Sequence, residues 1–127
     1  MAIPSGSGTE VLKRTTIHAQ ANTATAFRWD GTMATVGTST YTVPTNHIIT
    51  VLSIFITDQA NSSKLVHVYQ TDGSNNHYLV QSQTVPAYGT FILNDRFVLT
   101  SGDKLIVTAD SGSNFDCYCS YIEQDWS

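Results

Sequence analysis

"HIITVLSIFITD", residues 47–58, is the stretch on which the fold turns. Seven of its twelve positions are Ile, Val, Leu or Phe, interrupted only by small polar residues, and β-branched side chains of this density suit a pleated strand rather than a helix. A half-buried strand alternates apolar and polar residues, because successive side chains point to opposite faces. Here one face carries Ile48, Thr50, Leu52, Ile54 and Ile56, and the other His47, Ile49, Val51, Ser53 and Phe55. Both faces are apolar. Two readings follow: a central strand whose second face is covered by its own chain, or a face that meets another subunit.

The strand at 64–71 poses the same question, with Val66 and Val68 on one side and Leu65, His67 and Tyr69 on the other. Ile49, Val51, Phe55, Leu65, His67 and Tyr69 are therefore the candidate interface residues of a self-associating protein. Outward from these two strands the chain breaks into short runs between turn residues. "NSS" (61–63), "DGSNN" (72–76), "AYG" (87–89), "SGD" (101–103) and "SGSN" (111–114) mark the turns. Strands are predicted near 11–20, 24–29, 40–43, 47–57, 64–71, 77–84, 90–99, 104–110 and 115–123, and no window sustains a helical period. This spacing predicts an all-β protein: a single antiparallel β-sandwich, jelly-roll-like, of eight or nine short strands.

"VLTSGDKLIVTAD" (98–110) reads as a hairpin closed at Gly102-Asp103, with Leu105, Val107 and Ala109 inward. "TVP" at 42–44 and 84–86 reads as a strand exit, proline fixing the backbone where pairing ends. Residues 1–10, with Pro4 and the Ser-Gly-Ser-Gly of 5–8, read as an extended N-terminal arm, and 11–127 as the sandwich domain. Ile3, Pro4, Val11 and Leu12 are the candidate arm contacts.

Ser and Thr fill 31 of the 127 positions, whereas only 13% of residues are charged, so strands are favoured over solvated helices. The formal net charge is −4, and the six basic residues are scattered. That disfavours a nucleic-acid partner, which needs a clustered basic face. The opening residues lack the charged and apolar regions of a signal peptide. The longest apolar run, "IITVLSIFI" (48–56), is half of what a membrane-spanning helix needs. Export by the usual route and membrane insertion are both disfavoured. Asn61-Ser62-Ser63 matches the glycosylation sequon and reads as a chance match in a turn.

Chemistry has few candidates. Cys117 and Cys119 in "FDCYCSYIE" (115–123) share one strand face with Phe115 and Tyr121. Their Cβ atoms are expected roughly 6.5–7 Å apart, against about 3.5–4.5 Å in a disulfide. The four histidines lie in separate predicted strands with no zinc spacing. Phe115, Cys117, Cys119 and Tyr121 are therefore read as core packing residues, with no metal or cofactor expected. "DSGSNFD" (110–116) alternates oxygen side chains in the manner of a calcium loop but lacks that loop's glycine and terminal glutamate. No nucleophile elbow, zinc-protease or phosphate-loop motif is present; Asp30, Asp58, Asp72, Asp95 and Asp103 could converge in space as paired carboxylates, but most of them fall where turns explain them. No catalytic residue is assigned. Trp29, Tyr41, Tyr78, Tyr88, Tyr118, Tyr121 and Trp126 leave a carbohydrate-binding module open as an alternative.

One further signal is carried by whole stretches. "MAIPSGSGTEVLKR" (1–14), "TVPTNHIITVLSIFITDQANSSKLVHVY" (42–69), "YLVQSQTVPAYGTFILNDRFVLTSGDKLIVTAD" (78–110) and "FDCYCSYIEQ" (115–124) span nearly the whole chain. Together they resemble the small β-sandwich structural proteins of tailed bacteriophage virions, the first stretch those of marine T4-like phages and cyanophages especially. The matching features belong to the framework and not to a site. The resemblance implies a non-enzymatic virion protein assembled in the host cytoplasm, a homotrimer or a copy in a symmetric ring. A capsid decoration or cement protein on the major capsid protein is the leading expectation, with a neck, tail or fibre-attachment component as the alternative.

Overall fold

Short β-branched runs become strands only where their backbone groups find partners, so the pairing pattern defines the architecture. The computed structural model describes residues 9–110 and 113–126. The described residues form ten strands and no helix: β1 (Thr9–Gln20), β2 (Thr25–Ala26), β3 (Met33–Ala34), β4 (His47–Asp58), β5 (Lys64–Thr71), β6 (Asn76–Val85), β7 (Thr90–Leu93), β8 (Phe97–Thr100), β9 (Lys104–Ala109) and β10 (Phe115–Asp125). They build two sheets. The first runs β3-β1-β10-β4, with β7 and β8 placed end to end along the free edge of β4. The second runs β2-β9-β5-β6. All pairings are antiparallel except the short β1–β3 contact. The protein is an all-β sandwich, and its core lies between the layers.

The doubled apolar pattern of β4 has a local cause. Ser53 pairs with Ser120 but Val51 pairs with Tyr121, so Leu52 is an extra residue in the β4–β10 ladder. A bulge of this kind places two successive side chains on one face and shifts the alternation by one. Before it, Ile49 and Val51 point inward; after it, Ile54, Ile56 and Asp58 do. Both apolar sets are therefore used for the same core. The expected single face of Ile49, Val51 and Phe55 does not exist, because Phe55 lies past the bulge on the outer surface.

Other expectations are corrected by connectivity. The segment 97–109 is not a hairpin: β8 pairs with β4 in the first sheet and β9 with β2 and β5 in the second. Its turn is a corner between layers. Asp103 holds it, its Oδ2 accepting from the Thr100 N–H at 2.9 Å, and Gly102 there has φ +89°. Residues 40–43 form no strand, although Val43 is buried. Its N–H donates to the Asp103 carbonyl (2.8 Å) and its carbonyl accepts from Gly102 (2.9 Å), which ties this segment to the corner. The first "TVP" is thus not a strand exit, whereas the second spans the end of β6, with Pro86 directly after Val85. The predicted strand 90–99 is broken into β7 and β8 by Asn94–Arg96. At the other end, β1 starts inside the expected arm, with Thr9 and Glu10 paired to Asp125 and Gln124. Ile3 and Pro4 lie outside the described residues.

Candidate functional site

Among the described residues, the interior holds packing side chains and one buried carboxylate cluster. β10 alternates without interruption as far as Glu123, so Phe115, Cys117, Cys119 and Tyr121 all point between the sheets and are buried. Both thiols are free, and burial pushes each well above its ordinary range, which removes the thiolate that metal binding or disulfide exchange requires. Tyr121 packs edge-on against Trp29 with ring centroids 5.0 Å apart, and its hydroxyl accepts from the Gly31 N–H at 3.1 Å. At the far end of the same strand Glu123 is buried between Lys13 and His47. Its carboxylate accepts from Lys13 Nζ at 2.5 Å and lies 2.7 Å from His47 Nδ1, linking β1, β10 and β4.

Of the five aspartates, Asp30, Asp58, Asp72 and Asp103 are each bound into a separate turn. Asp30, Asp58 and Asp72 accept from the backbone N–H of Thr32 (3.1 Å), Ala60 (2.8 Å) and Ser74 (2.9 Å). The Arg28 guanidinium beside Asp30 holds that carboxyl down at about 2. In the 110–116 segment, Asp116 accepts from the Ala19 N–H at 3.1 Å and pairs with His18 at 2.9 Å, and Asp110 Oδ2 accepts from the Leu65 N–H at 3.4 Å. Among the described residues no group of three His, Cys, Asp or Glu is placed to hold a metal ion. The aromatic residues are likewise divided. Trp29 and Tyr121 are interior, Tyr41 lies under Arg28, Tyr69 and Tyr78 stack on the second sheet, and Tyr118 lies on the first.

The outer face of the first sheet is different. Its register aligns Met33, Thr16, Tyr118, Phe55 and Ile92 in one row across five strand positions, and Leu12, Ile122, Thr50 and Val98 in a second row. Met33, Tyr118, Phe55, Ile92, Leu12 and Val98 are 41–71% exposed. Such a row is unusual, because outward positions of a solitary sandwich are normally polar. Phe55 and Tyr118 stack with centroids 6.3 Å apart, and a shallow groove of about 600 Å3 runs beside them, bounded by Met33, His18 and Asp116. The outward residues of β4, β7 and β8 (Ile48, Thr50, Leu52, Ser53, Phe55, Thr57, Thr90, Ile92, Val98 and Thr100) include no charge. Charged groups lie around them: Glu10, Arg14 and Asp116, with His18, on one side, Asp95 and Arg96 on the other.

The candidate interface residues are thus divided among three places. Ile49 and Val51 are wholly buried, because the sequence pattern was read without the bulge. Phe55 lies in the exposed row. Leu65, His67 and Tyr69 are half-buried on the outer side of the second sheet, in the other layer from β4. Of the candidate arm contacts that are described, Leu12 joins the exposed face and Val11, of inward parity, is half exposed at its edge. Ile92 and Val98 were missed as surface residues, and Tyr118 was read as outward but not as part of an apolar row. An apolar residue on the polar side of each alternating strand is the signal that marks them.

The chain therefore falls in the class of two-layer β-sandwiches. No family model matches the chain, and no curated protein does. Among solved structures, it is similar over 100% of its length to 97% of a chain described with Bacillus endospore appendages, a family of disulfide-linked pili, at 14% identity and a TM-score of 0.55. That likeness is one of fold. Two structures of a pentameric capsid protein from metagenomic phage sequences are matched at 17% identity over 93% of this chain, with TM-scores of 0.36 and 0.35. The matches cover 63% and 59% of those chains, and they are too distant to bear on the fold. No described helix is long and apolar enough to cross a membrane.

Proposed function

We propose that this protein is a non-enzymatic structural subunit of a bacteriophage virion, a decoration or cement protein that stabilises the capsid shell by burying surface across neighbouring capsomers. The observation that carries the reading is the exposed, uncharged row from Met33 through Tyr118 and Phe55 to Ile92, which a solitary soluble domain has no use for. The whole-chain resemblance to virion proteins supplies the setting. The Bacillus appendage proteins are described as disulfide-linked pili. In this chain both cysteines are interior, so copies joined through this fold are held by noncovalent contacts.

Quantitative mass spectrometry of purified virions tests the proposal. The chain is expected at a fixed ratio to the major capsid protein, set by the shell's symmetry, and particles lacking it are expected to open at lower temperature. Its absence from purified particles overturns the reading. A ratio fixed to tail or neck proteins instead overturns the capsid assignment.

A further inference from the structure

We propose that the outer face of the first sheet is an interface between two copies of this chain, packed sheet against sheet with the β4, β7 and β8 halves at its centre. The inference rests on the structural-subunit reading above but names the surface and the occupant, which that reading leaves open.

Three observations select a second copy. The first is area. The whole outer face, charged margin on β1 and β10 included, spans five strand positions at about 4.8 Å and roughly nine residues at about 3.3 Å, on the order of 700 Å2 and close to the ~800 Å2 that each side of a stable interface buries. The second is charge. The chain as a whole carries −4, so two copies meeting through an average patch repel one another. The β4, β7 and β8 part of this face has no charged side chain, and its rim is mixed: Arg14 and Arg96 against Glu10, Asp95 and Asp116, the last in contact with His18 at 2.9 Å. A copy of the same face meets charges of both signs at its rim, whereas a strongly acidic or basic partner finds little to complement. The third is the pattern of apolar anchors and hydroxyls. Phe55, Tyr118, Ile92 and Val98 stand among Thr50, Ser53, Thr57 and Thr90, and Thr57 and Thr90 are already hydrogen-bonded to each other at 3.0 Å. Hydroxyls both donate and accept, so they match their own copies across a two-fold axis without leaving a buried group unpaired. Two sheets with these inner faces pack at about 10 Å, as in any sandwich.

The test is sedimentation velocity of the purified full chain, wild type against Phe55→Asp, Val98→Asp and the second-sheet control Tyr78→Asp. Far-UV circular dichroism confirms that each variant is folded. Wild type and Tyr78→Asp are expected to be dimers or larger, and Phe55→Asp and Val98→Asp are expected to fall by at least one association step. A wild-type monomer at tens of micromolar, a concentration at which ordinary interfaces of this size are occupied, overturns the inference. So do folded Phe55→Asp and Val98→Asp variants of unchanged size. Neither result touches the virion assignment, which depends on the particle composition; conversely, absence from virions leaves this interface standing.

Discussion

Cys117 and Cys119 show how far a single side chain's surroundings decide its chemistry. Each thiol lies on the inward side of β10 with Phe115 and Tyr121, and burial raises it far out of the reactive range. Their contribution is packing. Cys117→Ala and Cys119→Ala are each expected to lower unfolding stability by about 1 kcal/mol, the loss of one well-packed heavy atom and the small cavity it leaves. Neither thiol should react with a thiol reagent until the protein unfolds, and chelators should leave the melting temperature unchanged. A chelator-dependent melting temperature, or rapid labelling of the folded protein, contradicts this account. The direction of these side chains was legible in the sequence because nothing interrupts the alternation between Phe115 and Glu123. The exposed Tyr118 between them was legible as outward but not as part of a surface. That needs Phe55 and Thr16 on either side, a relation that only the register supplies.

At the scale of the element, β4 is where alternation misleads. A period-two reading of residues 47–58 yields two apolar faces and no way to choose between them. One extra residue at Leu52 resolves both into one core. The bulge makes a prediction opposite to that of an unbroken strand. Ile54→Asp buries a carboxylate among core residues and is expected to cost more than about 3 kcal/mol, enough to prevent folding or nearly so. Phe55→Asp places the same group in solvent and is expected to leave the folded monomer within about 0.5 kcal/mol of wild type. Urea unfolding of the two variants distinguishes the cases, and an inverted order would show that the strand runs without a bulge. The bulge could not be read from β4 alone, because it exists only in the ladder with β10. The same holds for the 97–109 segment. Its turn residues are those of a hairpin, and only the partners β4 and β5 reveal a corner between sheets.

For the whole molecule, the sandwich class followed from turn spacing and from the shortage of charge, both of which are local. The layer to which each strand belongs did not follow, since β4 and β5 are successive in sequence yet lie in opposite sheets. That division decides the functional surface. It leaves the exterior of the second sheet with Leu65, His67 and Tyr69 only half-exposed, and concentrates large exposed apolar groups on the first. If copies join through the first sheet, folding and association are linked, because the assembled form binds the native state and not the unfolded one. Raising the chain concentration a hundredfold should then stabilise the native state by up to about 2.7 kcal/mol per dissociation event. For a chain of this length that corresponds to a rise of several degrees in melting temperature. The Phe55→Asp variant, which keeps its core but loses the face, should melt at a temperature independent of concentration. Parallel curves for wild type and variant across that range would mean that the apolar face contributes nothing to association. Convergence on dilution, with both forms meeting at the lowest concentration, would place the added stability at the interface and not within the sandwich.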